Sequence, residues 1–174
     1  MKKKYYSSTI VTLSEENLKT KNNKSKNVVT LDAPDWVNII PITAFNEVVF
    51  VEQLRYGTGK VTLEIPGGMV DSGETNQMAA ERELLEETGF QVENVIELGS
   101  LSPNPALFTN KVTSYVGHSA KKNKDISSND KNIKVHLIPI KDVNLLINNG
   151  EIDHALVVAA FFLLTNRGQN AQNA

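Results

Sequence analysis

The sequence predicts an α/β fold: a mixed central sheet with helices packed on its faces. Three observations carry this. Alternating and β-branched runs fill the first two thirds of the 174 residues, one strong helical segment interrupts them at 75–88, and two more helical segments follow near the end. No internal repeat and no linker divides the chain, so residues 1–174 read as a single domain, long enough to bury a substantial core.

Tyr5 to Leu13 alternates and is β-branched, which predicts a strand. Lys19 to Asn27 is polar and aperiodic and reads as a solvated, mobile loop rather than a basic binding patch. Val28 to Leu31 predicts a second strand, and Ala33-Pro34-Asp35 a turn. Val37 to Thr43 and Glu47 to Leu54 are rich in Val and Ile, as strands near a sheet centre are. Val61 to Ile65 is a short strand closed by Pro66-Gly67-Gly68. Thr75 to Thr88 is the clearest helix, with good formers inside, Thr75 as N-cap and Gly89 placed for a left-handed C-terminal residue. Val92 to Leu98, Lys111 to Gly117 and Val135 to Ile140 predict strands, with Pro103 and Pro105 in the loop between the first two. Lys121 to Lys131 reads as a polar loop. Lys141 to Asn149 and Asp153 to Asn166 predict helices parted by Gly150, and 169–174 a disordered tail.

Composition excludes several classes. With no cysteine there is no disulfide, zinc thiolate site or cysteine nucleophile, and a reducing cytoplasm is the expected location. A net charge of -2 gives no reason to expect nucleic acid or an anionic membrane as partner. Met1-Lys2-Lys3-Lys4 resembles the start of a secretory leader, but Tyr5 to Thr9 is too polar for its apolar core. The longest apolar run, Ala155 to Leu164, is too short to span a bilayer and predicts a buried helix. His118, His136 and His154 are scattered without metal spacing and read as core or surface histidines. Trp36, the only tryptophan, reads as packing more readily than as a stacking platform for a base.

The chemistry lies in Gly68 to Phe90. Glu83, Glu86 and Glu87 stand at i, i+3 and i+4, within one arc of a helix that advances about 100° per residue. Like charges at this spacing repel, so these residues are either an ordinary solvated acidic face or the site of a divalent cation that offsets the repulsion; magnesium takes hard oxygen ligands and keeps several waters. Leu84, Leu85 and Thr88 fall on the opposite side, where a sheet would lie. Glu74 and Arg82, one of three arginines, are placed to pair and pin the glycine-bearing loop onto the helix through bidentate geometry.

Gly68, Glu74, Arg82-Glu83-Leu84, Glu86-Glu87 and Gly89-Phe90 fill every fixed position of the Nudix box, and the sequence resembles the Nudix hydrolase family. The resemblance implies a Nudix-type α/β/α sandwich with a mixed central sheet and the box as loop–helix–loop. It implies magnesium, with manganese as an alternative, held by Glu83, Glu86, Glu87 and the Gly67 carbonyl, and a mainly structural role for Glu74 and Arg82. Val51 to Arg55, Leu63 to Gly68, Leu101 to Pro105 and Asn149 to Ile152 are similar to the ADP-ribose pyrophosphatase branch. Pro105 follows Phe90 by 15 residues, near that branch's marker proline. Arg55, Glu64 and Pro105 are thereby implied to bind substrate, a small-molecule nucleotide, and a homodimer is implied with residues 1–35 near the partner.

The reaction implied is attack of water on phosphorus in a nucleoside diphosphate joined to another group. ADP-ribose or a related nucleotide sugar would give AMP and a sugar phosphate. Other nucleotide pyrophosphates, or nucleotide sensing without turnover, are the competing readings. In one respect the chain departs from the branch, which often takes its general base from a loop glutamate beyond the box. Between Glu97 and Glu151 there is none; the acids there are Asp125, Asp130 and Asp142. The base is then Asp130, or Glu86, or absent, while Asp142 reads as a helix cap.

Overall fold

The computed structural model describes residues 2–123 and 133–172. β1 (Lys2–Ser7), β2 (Thr12–Lys19) and β3 (Ser25–Asp32) form a three-stranded antiparallel meander. The single strand expected over Tyr5–Leu13 is broken by a turn. Ser8 N–H donates to the Val11 carbonyl at 2.9 Å, and Ser8 Oγ accepts from Val11 N–H at 3.2 Å. Serine bonding its own backbone makes that turn, which residue alternation cannot reveal. The expected loop over Lys19–Asn27 is largely strand: β2 and β3 stay paired out to Lys19 and Ser25, leaving a short turn closed by Thr20 and Lys24.

The main sheet is seven-stranded and mixed. Its order is β10 (Lys134–Pro139), β5 (Glu47–Arg55), β4 (Trp36–Thr43), β9 (Val112–Lys122), β8 (Phe90–Leu101), with β6 (Lys60–Glu64) on β5 and β7 (Gly67–Met69) on β4. β4 and β9 run parallel; the other pairs are antiparallel. β4 and β5 are bridged only at Ile42 and Val48. Beyond that point they diverge, β5 pairing with β6 and β4 with β7. The divergence positions the functional site, because it leaves the β6–β7 connection in the mouth between two central strands.

Side chains alternate along each strand and so feed two cores. Val37, Ile39 and Tyr115 pack with Ala79, Ala80 and Leu84 of α1 (Asn76–Thr88) on one face. Ile40, Ile42, Val48, Phe50 and Val116 pack on the other face, against α2 (Val143–Asn148) and α3 (Ala155–Gln172). The Phe50 and Phe161 rings stack there, 5.9 Å between centroids. The result is the expected α/β/α sandwich. A 3-10 turn at Ile140–Asp142 leads into α2, and Asp142 makes no capping hydrogen bond through its side chain. α3 runs through Gln172, past the point where a disordered tail is expected at 169; Ala and Gln extend a helix already nucleated by its apolar part. Among the described residues, no helix is long and apolar enough to cross a membrane.

Candidate active site

Helix α1 begins and ends as its sequence dictates. Thr75 Oγ1 accepts from Met78 N–H at 3.2 Å, and Gly89 takes the left-handed conformation with φ 74°, its N–H donating to the Leu85 carbonyl. Leu84 and Thr88 are buried against the sheet, which leaves the glutamates on the other side of the helix.

Arg82 ties the preceding loop to this helix. Its Nε and Nη2 donate to the two oxygens of Glu74, at 2.8 and 3.0 Å. Nη2 also donates to the Met69 carbonyl at 3.0 Å, and Nη1 to Glu83 Oε1 at 2.8 Å and Glu86 Oε2 at 3.3 Å. Glu74 in turn accepts from Asp71 N–H at 3.1 Å. The Arg82 hydrogen bond first, then that of Asp71, hold the Glu74 carboxyl below its ordinary value.

The carboxylates differ in environment. Glu87 Oε2 accepts from Gly67 N–H at 3.1 Å. Burial pushes its carboxyl up to about 8, and neighbouring Glu83 adds to the rise. Burial also raises Glu83, against the pull of Arg82. Glu86 is exposed and shares the Arg82 Nη1 nitrogen with Glu83. Among the described residues, no three acidic or histidine side chains form a ready-made metal cluster. The donor set nevertheless suits a hard dication. It is all oxygen, it comes from one helix face, and Glu87 is a largely desolvated acid with no directly paired cation among the described residues. Charge supplied beside it would stabilise the carboxylate.

β7 joins these carboxylates to a cavity of about 580 Å³. A Cβ on Gly67 would lie 2.3 Å from the Val37 carbonyl oxygen, and one on Gly68 2.3 Å from Glu83 Oε1. At Gly67 the obstacle is backbone, so only glycine lets β7 pass this close to β4; at Gly68 a side chain would displace the Glu83 carboxylate. Gly67 and Gly68 line the cavity, with Trp36, Arg55, Glu64 and His154. Its volume is in the range of small-molecule sites. Arg55 grips Glu64 in a fork, Nε to Oε1 at 2.7 Å and Nη2 to Oε2 at 2.6 Å. Burial pushes the Glu64 carboxyl up, but the hydrogen bonds from Arg55 and Thr62 outweigh it and hold the carboxyl below its ordinary value.

The structure thus brings Arg55, Glu64, Gly67 and Gly68 around one cavity, with Glu87 against Gly67, Glu83 beside Gly68, and Glu86 more exposed on the same helix. It does not bring Pro105 there: that residue is exposed, in the turn where Leu107 and Phe108 N–H donate to the Asn104 carbonyl. Asp125 and Asp130 lie outside the described residues. Trp36 lines the cavity and also packs on Phe108, 5.4 Å between centroids. Asn38, which sequence reasoning passed over, and His154, read there as a core or surface histidine, line it as well. A polar Asn38 inside the apolar run Val37–Ile42 was the available signal; His154 had none.

A model of the NUDIX domain matches residues 34–161. The chain is 30% identical over 135 residues to the methanol dehydrogenase activator of Bacillus methanolicus, spanning 78% of this chain and 73% of that protein. It is 23% identical over 153 residues to the ADP-ribose pyrophosphatase of Bacillus subtilis (strain 168), spanning 87% and 83%. A crystal structure of an ADP compounds hydrolase superposes with a TM-score of 0.85 at 24% identity, over 97% of this chain and 93% of that one, a likeness of fold.

Proposed function

This chain belongs to the Nudix family and is a hydrolase acting on pyrophosphate bonds, and from that premise we propose that it cleaves ADP-ribose or a related nucleotide sugar to AMP and a sugar phosphate with magnesium bound at α1. One observation carries the reading: Gly67 and Gly68 line the cavity while touching Glu87 and Glu83, so a diphosphate seated there lies against the carboxylate helix.

In this reading Glu83 and Glu87 are the principal ligands, the Gly67 carbonyl assists, and Glu86 is the third ligand or the proton acceptor. Bound magnesium would neutralise charge on the phosphoryl oxygens and orient the attacking water. Arg55, fixed in direction by Glu64 through Nε and Nη2, holds the diphosphate with the end of its guanidinium that Glu64 does not occupy. The apolar wall of Trp36, Ile65 and Leu156 excludes water from the remainder of the nucleotide.

Incubation with magnesium and a panel of ADP-ribose, ADP-glucose, ATP and a dinucleoside tetraphosphate tests this. ADP-ribose should yield AMP and ribose 5-phosphate, and a chelator should stop the reaction until magnesium or manganese is restored. If ADP-ribose and ADP-glucose survive while another pyrophosphate is cut, the substrate assignment fails. Tight ADP-ribose binding without AMP release would mark a sensing module instead. The same proposal includes a cytoplasmic homodimer formed through residues 1–35, supported by the exposed Tyr5, Tyr6, Ile10, Leu18 and Val29. A monomeric mass in sedimentation equilibrium would remove the dimer.

A further inference from the structure

Among the described residues, the buried side-chain atoms with no partner in the protein are Asn38 Oδ1, Asn110 Oδ1 and His154 Nδ1. Two of these three belong to cavity-lining residues, Asn38 and His154. Asn38 is 6% exposed, in the middle of an apolar strand. An unpaired acceptor in such a place is costly, and its persistence calls for a reason. The two residues share one wall: Asn38 Nδ2 donates to the Leu156 carbonyl at 3.4 Å, two positions beyond His154.

The chemistry of His154 follows from its neighbour. Its Nε2 faces Glu64 Oε2 at 3.6 Å, and Glu64 is ionised, held by Arg55. With its hydrogen on Nε2, toward the carboxylate, the ring presents a lone pair on Nδ1. Asn38 Oδ1 and His154 Nδ1 are then both acceptors. Both atoms are buried in the ligand-free cavity wall, and each sits beyond a χ2 torsion that is broad for Asn and His, so its direction can adjust to a ligand in the cavity. Arg55 and Lys60 line the same cavity and supply the positive charge a phosphate requires. Two acceptors near a phosphate-binding arginine and lysine suit a ligand that offers two adjacent donors on a phosphorylated frame.

We propose that Asn38 and His154 form a ribose-reading subsite, Asn38 Oδ1 and His154 Nδ1 accepting hydrogen bonds from the vicinal hydroxyls of a ribose phosphate. The inference rests on the cavity being the substrate site. It adds the residues that select ribo- over deoxyribo- substrates. An ADP-ribose-like substrate carries two riboses, and the test distinguishes them.

Calorimetry in magnesium buffer would compare AMP with 2′-deoxy-AMP, and ribose 5-phosphate with 2-deoxyribose 5-phosphate. The proteins are wild type, Asn38→Leu and His154→Phe. In one of the two pairs the wild type should bind the ribo form about tenfold more tightly, the effect of one lost hydrogen bond. The variant of the residue that reads the 2-hydroxyl should lose that preference while binding the deoxy form as the wild type does, and the variant of the residue that reads the 3-hydroxyl should bind both forms more weakly by a similar factor, a pair of results that general damage to the cavity does not give. Should Asn38→Leu fail to fold, His154→Phe decides alone, since it must either lose the preference or weaken both forms alike. No ribo preference in either pair, or variants that leave both affinities and their ratio unchanged, overturns the subsite. Because binding is read without turnover, an enzyme that cleaves ADP-ribose yet shows no ribose preference loses only this inference. Ribose selectivity without hydrolysis would instead sink the proposed reaction and leave the subsite standing.

Discussion

Glu87→Gln should lower turnover by about 10³-fold or more while the protein stays folded, the expected outcome of removing the charge of the proposed metal ligand but keeping its shape, on the order of 4 kcal/mol of barrier. Glutamine preserves an oxygen for the Gly67 N–H that Glu87 now accepts at 3.1 Å, so β7 keeps its place against α1. What it removes is the charge. Steady-state rates beside circular dichroism would check this, and full activity in the variant would end the metal-ligand role.

The same residue predicts a pH dependence whose sign is fixed by its raised carboxyl. Folding favours the neutral acid, so the metal-free protein has this contribution in full below the unfolded value near 4.5 and loses it as the pH climbs through about 8. In chelator, wild type should melt lower at about pH 9 than at about pH 6, and Glu87→Gln, with no proton to give up, should lack that part of the decline. Magnesium should raise the wild-type midpoint most at the alkaline end, where ligand and ion no longer compete with a proton. A midpoint independent of pH in metal-free wild type would contradict the burial of this acid.

Arg82→Ala should destabilise the protein by about 3 kcal/mol, toward the lower end of what breaking a buried ion network costs because the side chain keeps 26% of its surface exposed. For a chain of this size that is roughly a 10 °C fall in melting temperature. The loss spreads through the site. Glu74 is left without the partner that fixes the loop, the Met69 carbonyl at the end of β7 loses its donor, and Glu83 and Glu86 lose the nitrogen they share. Arg82→Lys should recover little, since an ammonium cannot span both Glu74 oxygens and the Met69 carbonyl at once. Differential scanning calorimetry of the three proteins decides it; an unchanged midpoint in Arg82→Ala would refute the structural assignment.

Much of the fold was legible from local pattern. Val37–Thr43, Glu47–Leu54 and Thr75–Thr88 fall within a residue or so of β4, β5 and α1, because long β-branched runs and a capped helix state their period plainly. The Glu74–Arg82 pair was legible too, since loop and helix are close along the chain. Short or non-local features were not. β7 is three residues with two glycines, strand only because β4 lies beside it, and the Ser8 turn depends on a side chain bonding its own backbone.

The sequence by itself determined the α/β class, the helix that carries Glu83, Glu86 and Glu87, and the loop locked to it, because each depends on neighbours a few residues apart. Only the tertiary structure decided that β4 and β5 part beyond Ile42 and Val48, that Gly67 and Gly68 fill the opening, and that Asn38, Arg55, Glu64 and His154 meet there. Those residues come from strands and a helix start as much as 116 positions apart, between Asn38 and His154. Burial and charge bring them together only when the whole sheet closes, and no periodicity along the chain records that distance in space.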